Sequence, residues 1–132
     1  MILKQGQIFT HSFDINDQVY NGFLEIFKDK NPLHTNDEFA QNKGFERKVM
    51  HGNILNGFIS YFIGELLPTD DVLILSQTIN FKKSVYLYDT VTLEAVVESQ
   101  TESVRVNSFK FKFKNQHNIT VAIGKIQIQE LV

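Results

Sequence analysis

The sequence predicts an α+β domain in which an antiparallel sheet wraps one long, mostly buried helix. Three observations carry this. From Asn53 to Leu67, the apolar residues Ile54, Leu55, Phe58, Ile59, Phe62, Ile63 and Leu66 recur at helical spacing and cover about half the circumference. After Pro68 the helical period is lost, and Val72 to Phe81, Thr90 to Val97, Val104 to Phe113 and Ile119 to Ile128 form β-rich runs split by polar turns. The 132 residues, 42% hydrophobic and 21% charged, match the composition of one ordinary globular domain, expected to span 1–132, with a core supplied largely by twelve Phe.

Element by element, Ile8, Phe9, Phe13 and Ile15 mark a first strand over Gln7 to Ile15. Asn16 and Asp17 then offer an N-cap to a helix whose apolar stripe is Val19, Tyr20, Phe23, Leu24 and Phe27. Pro32 is expected to stop that helix, because it also biases Asn31 away from helical geometry, leaving Asp29 to Leu33 as a turn. Thr35 and Glu38 have capping-box spacing and Gly44 offers a left-handed stop, which predicts a short helix over Asn36 to Lys43. On the long helix, Asn56, Gly57, Ser60 and Gly64 form a side small enough for a backbone, a ligand or a partner to approach.

Several function classes are excluded by composition. With no cysteine there is no thiol nucleophile, no disulfide and no thiolate metal site. A net charge of −2 lacks the basic excess of a nucleic-acid binder. The alternating run Phe109 to Lys114 puts three Phe on one strand face and three Lys on the other, so it reads as core and solvent, not as a base-stacking surface. The N-terminus lacks the apolar run of a signal peptide, and the stretch Ile54 to Leu67 falls short of the roughly 20 residues that cross a bilayer. The expectation is a chain that begins here, works in the cytoplasm and has neither nucleic-acid nor membrane partners.

Chemistry concentrates in Asp29-Lys30-Asn31-Pro32-Leu33-His34, with Ala40 six residues after the histidine. The Asn-Pro turn lets Asp29 and His34, on opposite sides of it, point into one space. A carboxylate beside an imidazole can hold a water between them and take its proton while a substrate carbon is protonated. The same residues also suit a helix end and a helix start. A second feature is His51-Gly52-Asn53 immediately before the long helix. The Gly52 amide there lacks an intrahelical partner, and such an amide, with the helix dipole behind it, stabilises an oxyanion such as the enolate of a thioester. Gly52 also suits a tight entry turn, and His51, unpaired in sequence, reads as structural.

The Asp29-x-Asn31-Pro32-x-His34 run with Ala40 resembles the signature of the MaoC-like, R-specific enoyl-CoA hydratases of the hot-dog fold. Phe45-Glu46, His51-Gly52, Asp89 after Val85-Tyr86, Asn115-Gln116 and Gly124 extend the resemblance over nearly the whole chain. It implies a single hot-dog domain, paired into a homodimer, adding water reversibly to trans-2-enoyl thioesters to give (R)-3-hydroxyacyl thioesters. Asp29 and His34 would be the acid–base pair and the Gly52 amide would polarise the thioester carbonyl. Asn31 and Gly57 complete the expected substrate-binding residues. The implied partners are acyl-CoA or acyl carrier protein thioesters, and neither a metal nor a redox cofactor is needed, because the thioester acidifies its own α-carbon.

The chain departs from the family at Phe27 and Lys28, where small residues are usual, at Asn53, where an apolar one is commoner, and at Ser84 and Tyr88, which replace a proline and a glycine. A hot-dog thioesterase and a non-catalytic acyl-thioester-binding module are the competing functions. Lys28, Lys43, Arg47 and Lys48 cluster in sequence around the expected entrance, and some of them are expected to meet carrier phosphates. Gly57, just over a turn beyond Gly52, is expected to leave volume for the acyl chain.

Overall fold

The computed structural model describes residues 1–132. Strands β1 (Ile8–Asp14), β2 (Val72–Phe81), β3 (Thr90–Thr101), β4 (Val106–Lys114) and β5 (Thr120–Glu130) form one antiparallel sheet in the order β1-β3-β4-β5-β2. Between β1 and β2 lie α1 (Asp17–Phe27), α2 (Pro32–Thr35), α3 (Asp37–Asn42) and α4 (Asn53–Tyr61), the last running on through a π-helical turn, Phe62–Leu66. This is the predicted α+β architecture, and no helix is long and apolar enough to cross a membrane.

The core follows from strand alternation and the helical stripe meeting face to face. Ile54, Leu55, Ile59, Phe62 and Ile63 from the long helix pack in one cluster with Val91, Leu93, Ala95 and Val97 of β3, Phe109, Phe111 and Phe113 of β4 and Ile126 and Ile128 of β5. Lys110 and Lys112 take the opposite face, where Lys112 pairs with Glu94 at 3.5 Å. Gly124 leaves room for the β2 backbone and the Phe111 ring: a Cβ there would lie 2.0 Å from the Thr78 carbonyl oxygen and 2.5 Å from Phe111 Cζ.

Three local expectations are corrected. Helix α1 ends before Pro32 acts, at Lys28, whose φ of 62° is left-handed and whose N–H donates to the Leu24 carbonyl. This is the backbone conformation for which glycine is favoured, which accounts for small residues being usual just before the aspartate. Pro32 instead opens α2, since the first position of a helix needs no N–H. The cap of α3 is Asn36, whose side chain accepts from Phe39 N–H, while the Thr35 hydroxyl turns back to the Lys30 and Asn31 carbonyls. An amide oxygen one residue later won the position that the Thr35/Glu38 spacing suggested.

Candidate active site

The turn from Lys28 to Thr35 is tied by its own side chains. Asn31 accepts from Leu33 N–H at 2.9 Å and caps α2, and its main-chain N–H donates to Asp29 Oδ1 at 3.2 Å. Asn31, expected at the substrate, thus has its oxygen committed to shaping the turn and leaves only its side-chain NH2 for a ligand. His34, on α2, is fixed from both ends of the residue. Its carbonyl accepts from the Tyr20 hydroxyl at 2.7 Å, and its Nδ1 lies 2.8 Å from the Val49 carbonyl. A carbonyl only accepts, so Nδ1 carries the hydrogen and Nε2 the lone pair. Burial, and then the Asp37 charge, push the Tyr20 phenol above its ordinary pKa, so it remains a donor at neutral pH.

The free Nε2 of His34 stands 3.8 Å from Asp29 Oδ2, with the carboxylate about half exposed at 51% and the imidazole 18% exposed. That gap is too long for a direct hydrogen bond and suits one water bridging both. Gly52 caps α4 in helical geometry (φ −58°), and its N–H has no protein acceptor. Its lack of a side chain matters because a Cβ would meet the Phe81 ring at 2.8 Å, not because of φ.

Two depressions meet at this pair. One, about 370 Å³, is lined by His34, Val49, Gly52, Asn53, Phe81, Lys82 and Lys83 among others. The other, about 790 Å³, runs between α1 and α4 past Asp29, with Val19, Phe23, Ile26, Phe27, Gly57 and Phe58 as its apolar walls and edges. Asn53 borders both and accepts from Asn56 Nδ2 at 2.7 Å, and Asn56 in turn is bonded to Gln77 of β2. A polar residue at Asn53 therefore begins a chain of amides that ties α4 to the sheet.

The structure brings Asp29, His34 and Gly52 together and puts Gly57 farther along the apolar groove. Three of the four cations expected near the entrance lie over aromatic rings, Lys43 on Phe39, Arg47 on Tyr86 and Lys48 on Tyr20. Lys82 and Lys83, just past the end of β2, line the cavity itself. Their only sequence signal was adjacency to each other. His51 is also closer to the site than its sequence context indicated. Its Nε2 lies 2.8 Å from the Asp29 carbonyl and 4.0 Å from Asp29 Oδ2. The donor atoms of Asp29, His34 and His51 all fall within 4.8 Å of one another, the grouping of a cation site. His51 Nε2 gives its hydrogen to a carbonyl, however, so Asp29 and His34 are the groups that face a ligand.

Residues 4–119 match the profile of the MaoC-like domain family. The chain belongs to that family. Among its relatives, the (R)-specific enoyl-CoA hydratase of Rhodospirillum rubrum is 30% identical over 108 residues, 82% of this chain and 75% of that protein. The mitochondrial 3-hydroxyacyl-acyl-carrier-protein dehydratase of Arabidopsis thaliana is 26% identical over 94% of this chain and 75% of its own length. Among solved structures, an (R)-hydratase from A. caviae involved in PHA biosynthesis superposes with a TM-score of 0.89 at 27% identity, covering 99% of this chain and 98% of the other. The fold is thus the hot-dog fold that the Asp29 to His34 motif implied.

Proposed function

We propose that the protein is an (R)-specific enoyl thioester hydratase, working in the reverse direction as a 3-hydroxyacyl thioester dehydratase. The observation that carries this reading is the approach of His34 Nε2 to within 3.8 Å of Asp29 Oδ2, with His34 lining the depression that also holds the Gly52 amide and Asp29 lining the adjoining apolar groove. The likeness to relatives named for this reaction, on both coenzyme A and acyl carrier protein thioesters, supports it.

The chemistry follows from which atoms hold protons. With Nδ1–H given to Val49, the His34 Nε2 lone pair accepts a proton from the bridging water as its oxygen adds to the substrate β-carbon. Electrons of the α,β double bond move onto the thioester oxygen, and the Gly52 N–H at the start of α4 meets the charge that forms there. The proton on Nε2 is then delivered to the α-carbon, so one water adds across the bond and the imidazole returns neutral. Asp29 orients the water and stabilises the imidazolium while it lasts. The polar depression with Lys82 and Lys83 suits the phosphate-bearing carrier arm, and the apolar groove between α1 and α4 suits the acyl chain.

Crotonyl-CoA tests the reading. Loss of enoyl absorbance with formation of the (R)-3-hydroxy product is expected. Asp29→Asn and His34→Ala should each lower kcat by roughly 10²–10⁴-fold with little change in Tm, since both side chains lie outside the core. Release of free thiol without hydration would assign the site to hydrolysis, and tight acyl-thioester binding without turnover would make it a binding module.

A further inference from the structure

We propose that His51 is a positioning residue that sets the separation of Asp29 and His34 by holding both, one through a hydrogen bond and the other through ring stacking. The inference rests on the acid–base reading of that pair. His51 is 3% exposed, and its Nε2, facing the Asp29 carbonyl at 2.8 Å, must carry the hydrogen. Its ring stacks on the His34 ring with centroids 4.1 Å apart and planes at 29°, and the Phe23 ring lies 4.5 Å away. Its Nδ1 is buried with no partner at all.

These contacts determine which ring nitrogen carries the hydrogen: Nε2 faces a carbonyl, which only accepts, and Nδ1 faces no partner. The titratable groups around it are Asp29, on its Nε2 side, His34 and the Tyr20 phenol, whose ring is 6.2 Å away. None of the three bonds Nδ1. The Nε2 hydrogen of His51 is therefore committed to the Asp29 carbonyl, and the ring offers no free donor to a ligand.

What it does instead is mechanical. Asp29 follows Lys28, which is held in a left-handed conformation, so the peptide carrying the carboxylate is at a strained exit from α1. The His51 clamp ties that peptide to the residue preceding Gly52, at the base of α4. One residue thereby keeps carboxylate, imidazole and oxyanion donor in a common frame, and errors of an ångström in such a frame cost about 10²-fold in rate.

Two variants separate the contacts. His51→Phe keeps a ring to stack and removes the donor; His51→Gln keeps a donor and removes the ring. Each variant releases one of the two groups, so both are expected to lower kcat by roughly 10- to 100-fold with KM within about twofold. In the unmodified protein, nitrogen NMR should show the His51 hydrogen on Nε2, coupled across the bond to the Asp29 carbonyl. Parental kcat in His51→Phe overturns the proposal. So does a loss in both variants that raises KM as much as it lowers kcat and follows a lowered Tm, which would mean packing alone, and so does a His51 ring that carries its hydrogen on Nδ1. If the parent protein proves not to hydrate enoyl thioesters, the proposed function fails, while the NMR signature still decides whether the clamp on Asp29 exists.

Discussion

At Gly57 a missing side chain keeps the groove between α1 and α4 open. A Cβ there would meet no atom within 4 Å, and the walls around it include Phe23, Ile26, Phe27 and Phe58. A larger residue would therefore project into the groove without striking this chain's own core. At a rise of 1.5 Å per residue, Gly57 lies about 7.5 Å along the helix from Gly52, only a few carbons past a thioester carbonyl held at Gly52. Gly57→Leu is expected to leave kcat/KM for crotonyl-CoA within about threefold and to lower it about 100-fold or more for octenoyl-CoA, each lost methylene contact being worth about 0.8 kcal/mol. Comparing the two substrates in one preparation is the measurement. A uniform loss on both with lowered Tm would instead place Gly57 in a contact between subunits.

Whole elements were the most legible part of the sequence, and their ends the least. The Phe109 to Lys114 alternation settled both the strand and its facing, because a period of two forces three Phe inward and three Lys outward. The Asp29/His34 pair was legible as a turn motif. Its spacing by Lys28 and His51 was not, since a left-handed lysine carries no sequence signal and the clamp reaches across 22 residues from the start of the long helix. The polar end of β3 hid its extension to Thr101 past a bulge at Val97 to Ser99 for a similar reason. Glu130, at the end of β5, shows what such concealed contacts stabilise. It is 2% exposed, accepting from Asn107 Nδ2 at 2.9 Å and Ile2 N–H at 2.6 Å. Burial alone would raise its pKa, but the bonds from Asn107, Ile2 and Leu3 and the N-terminal charge outweigh it and leave the pKa lowered. A lowered folded-state pKa gives stability that is complete above the unfolded value and is lost as pH falls through the folded one. Glu130→Gln should therefore cost about 1–3 kcal/mol at pH 7, with the Tm gap to the parent narrowing as calorimetry is taken down to pH 3. A gap that stays constant with pH would mean the charge contributes nothing.

At the scale of the molecule, the sheet ends on β2, and that edge is not blunted in the way isolated edges are. Leu73 is 51% exposed and Leu75 48%, with Ile74 and Phe81 also exposed on the same strand. A row of unpaired N–H and C=O groups flanked by exposed leucines is a template for another strand, and the strand available at equal concentration is β2 of a second copy. Antiparallel pairing about a twofold axis would continue the sheet across both subunits and close the assembly. It would also cover Phe81, whose ring lies against Gly52, so pairing and the site share a wall. Light scattering of the parent is expected to give a homodimer, twice 15.2 kDa. The double variant Leu73→Lys, Leu75→Lys should give the single-chain mass with kcat/KM reduced at least about tenfold, because charge on both strands of the pair repels and Phe81 loses its cover. A parent that scatters as a single chain at micromolar concentration removes the dimer. A monomeric double variant with parental turnover would separate the edge from the site and leave Asp29, His34 and Gly52 complete within one chain.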